Sequence, residues 1–208
     1  VPADVSHELA AVGNPKVVAK LRRRLAAAAQ AFENERFRDA DNILKELVAL
    51  APESASIHEL YGLTLYRLGR WRAAIKQLEM FSELSGSVDQ HPVLADCERA
   101  IGRHDEVERL WNELRQAGAG VDTVAEGRLV MAGSLADRGR LEEGIALLAA
   151  PAGKPVRHPA ERHVRQWYAL ADLHERAGDL PRARELFRRV VEADAELSDA
   201  TERLAALA

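Results

Sequence analysis

A glycine followed by a polar residue and a bulky or basic one recurs along this chain. It appears as Leu68-Gly69-Arg70-Trp71, Ile101-Gly102-Arg103-His104, Arg138-Gly139-Arg140-Leu141 and Ala177-Gly178-Asp179-Leu180. Successive glycines stand 33, 37 and 39 residues apart, and a degenerate copy, Asn34-Glu35-Arg36-Phe37, lies 34 residues before Gly69. Self-similarity at a fixed period of this length is the signature of a repeat architecture. Glycine at such a point suits a left-handed helix C-cap, which a residue without Cβ enters at least cost.

The segments on either side carry helical periodicity. Ile57, Leu60, Tyr61, Leu63, Thr64, Leu65 and Leu68 form a broad face before Gly69, and Trp71, Ala74, Ile75, Leu78 and Phe81 repeat at three- and four-residue steps after it. Ala183, Leu186, Phe187, Val190 and Val191 do the same after Gly178. The unit is therefore two antiparallel helices joined by a tight turn. One such hairpin cannot bury both faces, so stacked neighbours must build the core. Composition agrees: 37 Ala and 27 Leu among 208 residues, against ten aromatics, favour helix and exclude an all-β chain.

Charge and cysteine content narrow the functional classes. The formal charge of −4 argues against a dedicated nucleic-acid binder, which needs a basic excess for phosphate contacts. One cysteine, Cys97, leaves no intrachain disulfide framework and no cysteine-rich zinc site. No apolar run approaches the roughly 18 residues of a membrane span, and Val1-Pro2-Ala3-Asp4 does not read as a signal peptide. The expected location is cytoplasmic. A basic side of 24 Arg to 5 Lys, with the alanine load, suggests a bacterial coding sequence.

Over residues 21–197 the chain resembles the tetratricopeptide-repeat (TPR) family. With Leu21, Ala55, Val88, Ala125 and Val164 as position 1, the small residues of position 8 are Ala28, Gly62, Ala95, Ala132 and Ala171. Position 20, also small, holds Ala40, Ala74, Val107, Gly144 and Ala183; the large position 24 holds Leu44, Leu78, Trp111, Leu148 and Phe187. Small residues would let the paired helices approach, and the large one would fill the next interface. The resemblance implies an all-α fold, a right-handed superhelical solenoid of about five helix pairs. Repeats are expected near 21–54, 55–87, 88–121, 125–158 and 164–197, in one domain spanning 14–208 after an extension of residues 1–13. Residues 198–208 would form a solvent-facing capping helix with Ser198 as N-cap.

Some positions depart from the pattern. Copy three has Pro92 inside its first-helix segment and Glu98 where an apolar residue is usual. Copy four ends in the stretch Pro151 to Pro159, which reads as a surface loop or hinge that no helix can traverse.

Catalytic chemistry finds little support. There is no phosphate-cradling glycine loop, no His-Glu-x-x-His and no Gly-x-Ser-x-Gly. Cys97 near His91 and Asp96 is the one nucleophilic candidate, but a six-residue step on a helix separates Cys97 from His91 around the axis. His158, His163 and His174 lack the further ligands a metal needs, so no metal and no cofactor are expected. The carboxylate pairs Asp105-Glu106 and Glu142-Glu143 follow turns, where a helix N-terminus favours them. Asn14 followed by Pro15 reads as a helix start, which places the basic run Lys16, Lys20, Arg22, Arg23 and Arg24 on the first helix. RNA held by that run is the alternative ligand.

In TPR proteins the first helices of the repeats line a concave groove that holds a partner peptide, through positions 2, 5, 9, 12 and 13. Carried onto this chain, the resemblance implies partner contacts at Arg22, Leu25 and Phe32, then at Glu59, Leu63, Tyr66 and Arg67. Asp96 and Arg99 follow in copy three, and Arg165, Tyr168, Asp172 and Arg176 in copy five. Chaperone-binding members carry Lys at position 5 and Asn at position 9. Here those positions read Leu25/Ala29, Glu59/Leu63 and Pro92/Asp96, so that carboxylate clamp is missing. The expected role is a non-catalytic scaffold for another protein or peptide, with no membrane partner and with self-association left open.

Overall fold

A computed structural model of the chain describes residues 8, 15–152, 158–197 and 199–207, the side chains of residues 151 and 152 excepted. Most of the expected N-terminal extension, Asn14, the centre of the loop (153–157) and the expected Ser198 cap lie outside them. Eleven helices and no strand occur among the described residues. They are α1 (Pro15–Glu33), α2 (Phe37–Leu50), α3 (Ala55–Arg67), α4 (Trp71–Ser85), α5 (His91–Ala100) and α6 (His104–Gln116). After these come α7 (Val121–Asp137), α8 (Leu141–Ala152), α9 (Glu161–Arg176), α10 (Leu180–Ala193) and α11 (Ala200–Ala206).

Two compact units divide the chain, Val1–Glu106 and Val107–Ala208, with the division falling inside α6. In the first, α1 pairs with α2 and α3 with α4, and each second helix also packs against the next first helix, so that α3 neighbours both α1 and α5. The second unit repeats the scheme with α7 on α8, α9 on α10, α8 against α9, and α7 beside α9. Here α11 packs against α10 as a further first helix would.

The turns follow from backbone sterics. Gly69, Gly102, Gly139 and Gly178 all have φ between 69° and 81°, where a Cβ is penalised. The degenerate copy puts Glu35 in the same conformation, φ 57°, the one described non-glycine residue with positive φ. At each site the chain closes the helix with the same hydrogen bonds. Gly69 N–H donates to the Tyr66 carbonyl and Arg70 N–H to the Leu65 carbonyl, as Glu35 does to Phe32 and Arg36 to Ala31.

Packing explains the small-and-large register. Ala28, Ala132 and Ala171 at position 8 are fully buried, as are Ala40, Ala74, Val107 and Ala183 at position 20. At position 24, Leu44, Leu78 and Phe187 are fully buried, with Leu148 and Trp111 nearly so. A Cβ on Gly62 would lie 2.5 Å from Leu78 Cδ2, and one on Gly144 would lie 3.0 Å from the Ala132 carbonyl oxygen. Position 8 is small because positions 20 and 24 of its own hairpin occupy the space. In the second unit this core runs on through Trp167, Leu170, Leu186 and Val190 to Ala200 of α11.

The departures also find a place. Pro92 stands in the first turn of α5, which starts only at His91, so its missing N–H removes no helical hydrogen bond. Glu98 is 2% exposed and faces Arg103 across the Gly102 turn, Nη1 to Oε2 3.5 Å. The expected loop starts later than Pro151, because α8 extends to Ala152. A single proline near a helix end interrupts few bonds, whereas the resumption at α9 waits until after Pro159. At the start of α9 the Ala160 N–H donates to His163 Nδ1, 2.9 Å, in the manner of a capping box. Asp199 stands at the N-cap of α11.

Candidate partner-binding face

The first-helix face of each unit carries the residues that the repeat register assigns to partner contact. In the first unit, α1, α3 and α5 bring Phe32, Tyr66, Arg67, Asp96 and Arg99 into two linked clusters. One surrounds the degenerate turn. Phe32 meets Phe37 edge-on at 5.4 Å, Arg67 lies 4.4 Å above the Phe37 ring, and its guanidinium reaches Glu35 at 3.3 Å. The other spans α3 and α5. Tyr66 Oη donates to Asp96 at 2.9 Å, Asp96 pairs with Arg99 at 3.6 Å, and the Tyr66 ring meets Trp71 at 5.5 Å.

Glu59 accepts from Gln90 Nε2 at 2.9 Å, and Leu63, one turn further along α3, is half-buried. Arg22 is likewise half-buried, whereas Leu25 is only 5% exposed and belongs to the core. At the N-terminus of α3 the Glu8 carboxylate accepts from Ser54 Oγ at 2.7 Å, from the Ser56 N–H at 3.1 Å and from Ser56 Oγ at 3.1 Å. Negative charge is favoured there by the exposed N–H groups of the helix.

In the second unit, Arg165 joins α9 to α7 through Glu126, 2.8 Å, and Arg162 does so through Asp122, 2.9 Å. Burial raises the Glu126 pKa, Arg165 opposes this, and Glu161 and Asp122 add to the rise. Asp172 lies 3.8 Å from Arg176, whose other nitrogen donates to the Ala136 carbonyl. Tyr168 Oη donates to Asp199 at 2.6 Å. Arg203 of α11 reaches across to Asp172 at 2.8 Å and to Glu175 at 2.5 Å.

Several partners in these clusters carry no signal in the position-by-position reading: Glu35, Phe37, Gln90, Glu8 and Arg203. Glu35 sits in the turn and Phe37 opens α2, both outside the contact positions of that register. Arg203 was legible in principle. With Ser198 as position 1 of a sixth copy, α11 falls where that copy's first helix would be.

The rival chemistries fare poorly in the geometry. Cys97 is fully buried, and burial pushes its thiol up to about 12, with Asp96 and Glu98 adding to the rise. That thiol stays protonated and is no nucleophile near neutral pH. Among the described residues, no three His, Cys, Asp or Glu side chains converge to hold a metal, and no helix is long and apolar enough to cross a membrane. His163 caps α9, and His174 lies 3.3 Å from Asp179. Within the basic run on α1, Lys16, Lys20 and Arg23 are exposed, Arg22 is half-buried, and Arg24 is tied to Glu46 at 2.5 Å.

Comparison with known proteins agrees with the helix-pair geometry. Sequence profiles of the tetratricopeptide repeat match residues 25–80 and 164–207. A thermophilic TPR protein of Thermus thermophilus is 17% identical over 90% of this chain and 98% of its own, with a TM-score of 0.68. A tetratricopeptide repeat protein from Parabacteroides merdae is 18% identical over 90% of this chain and 70% of its own, with a TM-score of 0.69. YrrB, a TPR protein with an unusual peptide-binding site, is 14% identical over 86% of this chain and 89% of its own, with a TM-score of 0.51. No curated protein matches by sequence. Periodic turns, small-to-large packing and matching profiles converge on one assignment: the chain is a member of the tetratricopeptide-repeat family.

Proposed function

We propose that this protein is a non-catalytic scaffold that holds a segment of a partner protein against the first-helix faces of its repeats. TPR folds generally serve as protein-interaction scaffolds, and YrrB carries a peptide-binding site on this fold. The observation that carries the proposal is the state of the face itself. Tyr66, Arg67, Asp96 and Arg99 are half-buried or exposed, yet each is already held: Tyr66 and Asp96 by each other across α3 and α5, Arg67 by Glu35 of the preceding turn, and Arg99 by Asp96 one turn away on α5. A face held this way presents aromatic and guanidinium groups at a lower ordering cost on binding. Phe32, Leu63, Tyr66 and Tyr168 serve as anchors. Arg22, Arg67, Arg99, Arg165 and Arg176 serve as donors, with Glu59, Asp96 and Asp172 as acceptors. Tyrosine and arginine are the residue types that dominate interface hot spots.

The test replaces Tyr66 and Arg67 by Ala together and measures partner capture beside circular dichroism. Capture falls while helicity is retained. Capture that survives this change and a second one at Tyr168 and Arg165 refutes the reading.

A further inference from the structure

The guanidinium of Arg203 sits in a site built from α9 and α10. Its Nε and Nη2 both donate to Glu175 Oε2, at 3.1 and 2.5 Å, Nη2 also donates to Asp172 Oδ1 at 2.8 Å, and Nη1 to Tyr168 Oη at 3.3 Å. The cation lies 4.6 Å from the centre of the Phe187 ring and 5.6 Å from that of Tyr168, and these rings meet edge-on at 5.7 Å. Two carboxylates, a hydroxyl and an aromatic wall match the planar fork of arginine. A lysine ammonium would supply the charge but neither the fork nor the flat stacking surface. Burial alone would lower the pKa of Arg203, but the hydrogen bonds it donates to Glu175, Tyr168 and Asp172 outweigh it and hold the pKa above its ordinary value.

The site coincides with the surface assigned to partners. Tyr168, Asp172 and Glu175 are positions 5, 9 and 12 of copy five. Of the helix that fills it, α11, Ala200 is fully buried, whereas Thr201, Glu202, Ala205 and Ala206 face solvent.

We propose that Tyr168, Asp172, Glu175 and Phe187 form a binding site for an arginine side chain carried on a helix of a partner protein, with Arg203 as the resident occupant that the partner's arginine displaces. Charge complementarity selects this partner. Once Arg203 leaves, Glu175 has no other cation beside it among the described residues and Asp172 keeps only Arg176, at 3.8 Å. The proposal rests on the first-helix faces being partner surfaces, but its test requires no natural partner. Failure here leaves the Tyr66 and Arg67 experiment untouched.

The first arm uses Arg203→Ala in the 208-residue chain and N-ethylguanidinium, which restores the atoms the substitution removes. Saturable NMR shifts at residues 168–175 are expected in this variant and not in the wild type, whose site is full. Ethylammonium should bind at least about tenfold more weakly. Adding Asp172→Asn and Glu175→Gln should abolish the response. Equal responses in variant and wild type, or to the two cations, overturn the site.

The second arm tests displacement on the wild-type chain, and stands even if Arg203→Ala does not fold. A fluorescent peptide of residues 194–208 is taken up, and the same peptide with Arg203→Lys is taken up at least about tenfold more weakly. No uptake, or uptake blind to that change, overturns displacement. Wild-type dimers that form with rising concentration and vanish with Arg203→Ala would give the slot to a second copy and overturn the assignment to a different protein.

Discussion

The contact between Gly62 and Leu78 gives the register a quantitative test. A methyl on Gly62 would lie 2.5 Å from Leu78 Cδ2 and 2.6 Å from its Cγ, and Leu78 is fully buried. Overpacking of this kind costs about 1–3 kcal/mol, and the gain in helix propensity from Gly to Ala returns about 1 kcal/mol. Gly62→Ala should therefore destabilise by about 1 kcal/mol. Leu78→Ala alone opens a cavity and should cost about 3 kcal/mol. In that background the methyl added at position 62 has room, so the same substitution should stabilise by about 1 kcal/mol. The coupling is then about 2 kcal/mol, inside the range found for touching residues. Urea unfolding of the four proteins, followed by circular dichroism at equal slope, measures it. Additivity within about 0.5 kcal/mol, or a stabilising Gly62→Ala in the wild type, would refute the close approach of α3 and α4.

Other substitutions test separate parts of the account. Gly139→Ala meets no atom within 4 Å but holds φ at 75°, so urea unfolding should show a loss of about 1–2 kcal/mol from backbone strain alone. Glu35→Gly should go the other way. It relieves about 1–2 kcal/mol of strain, less about 0.5–1 kcal/mol of added chain entropy and an exposed ion pair to Arg67. The Glu98 carboxyl has its pKa raised by burial, against Arg103 and with Glu79 and Glu106 adding to the rise. The folded state therefore binds its proton more tightly than the unfolded chain does. As pH rises from the ordinary carboxylate range through the raised value, the wild type loses stability relative to Glu98→Gln, and the gap is constant above it. Melting curves from about pH 4 to 8 follow this. For Cys97, a pKa of about 12 against the ordinary 9.0 leaves about a thousandfold less thiolate, so a disulfide reagent should label it only as fast as the chain opens.

The helix pairs were legible in the sequence because they depend on local rules. Four glycines mark turns that need a left-handed residue, and the alanines at positions 8 and 20 stand where helices meet. Glu35 shows how the period carried the turn where the residue type did not. Long-range partners were harder to read. The ion pair of Arg67 with Glu35, the seat of Phe37 under Arg67 and the reach of Arg203 to α9 join residues about 30 apart in the chain. Side-chain type alone does not reveal such pairings, because many arginines and carboxylates compete for each other. Leu25 shows the related risk, since a one-residue rotation on a helix separates groove from core.

The most direct test of the central claim compares two faces of the same hairpin. A photo-crosslinking amino acid at position 63 or 67 lies on the first-helix face of α3, and one at Lys76 or Glu83 lies on exposed parts of α4. The account predicts partner adducts from positions 63 and 67 and none from 76 and 83. Adducts from α4 alone, or equal adducts from both helices, would contradict it.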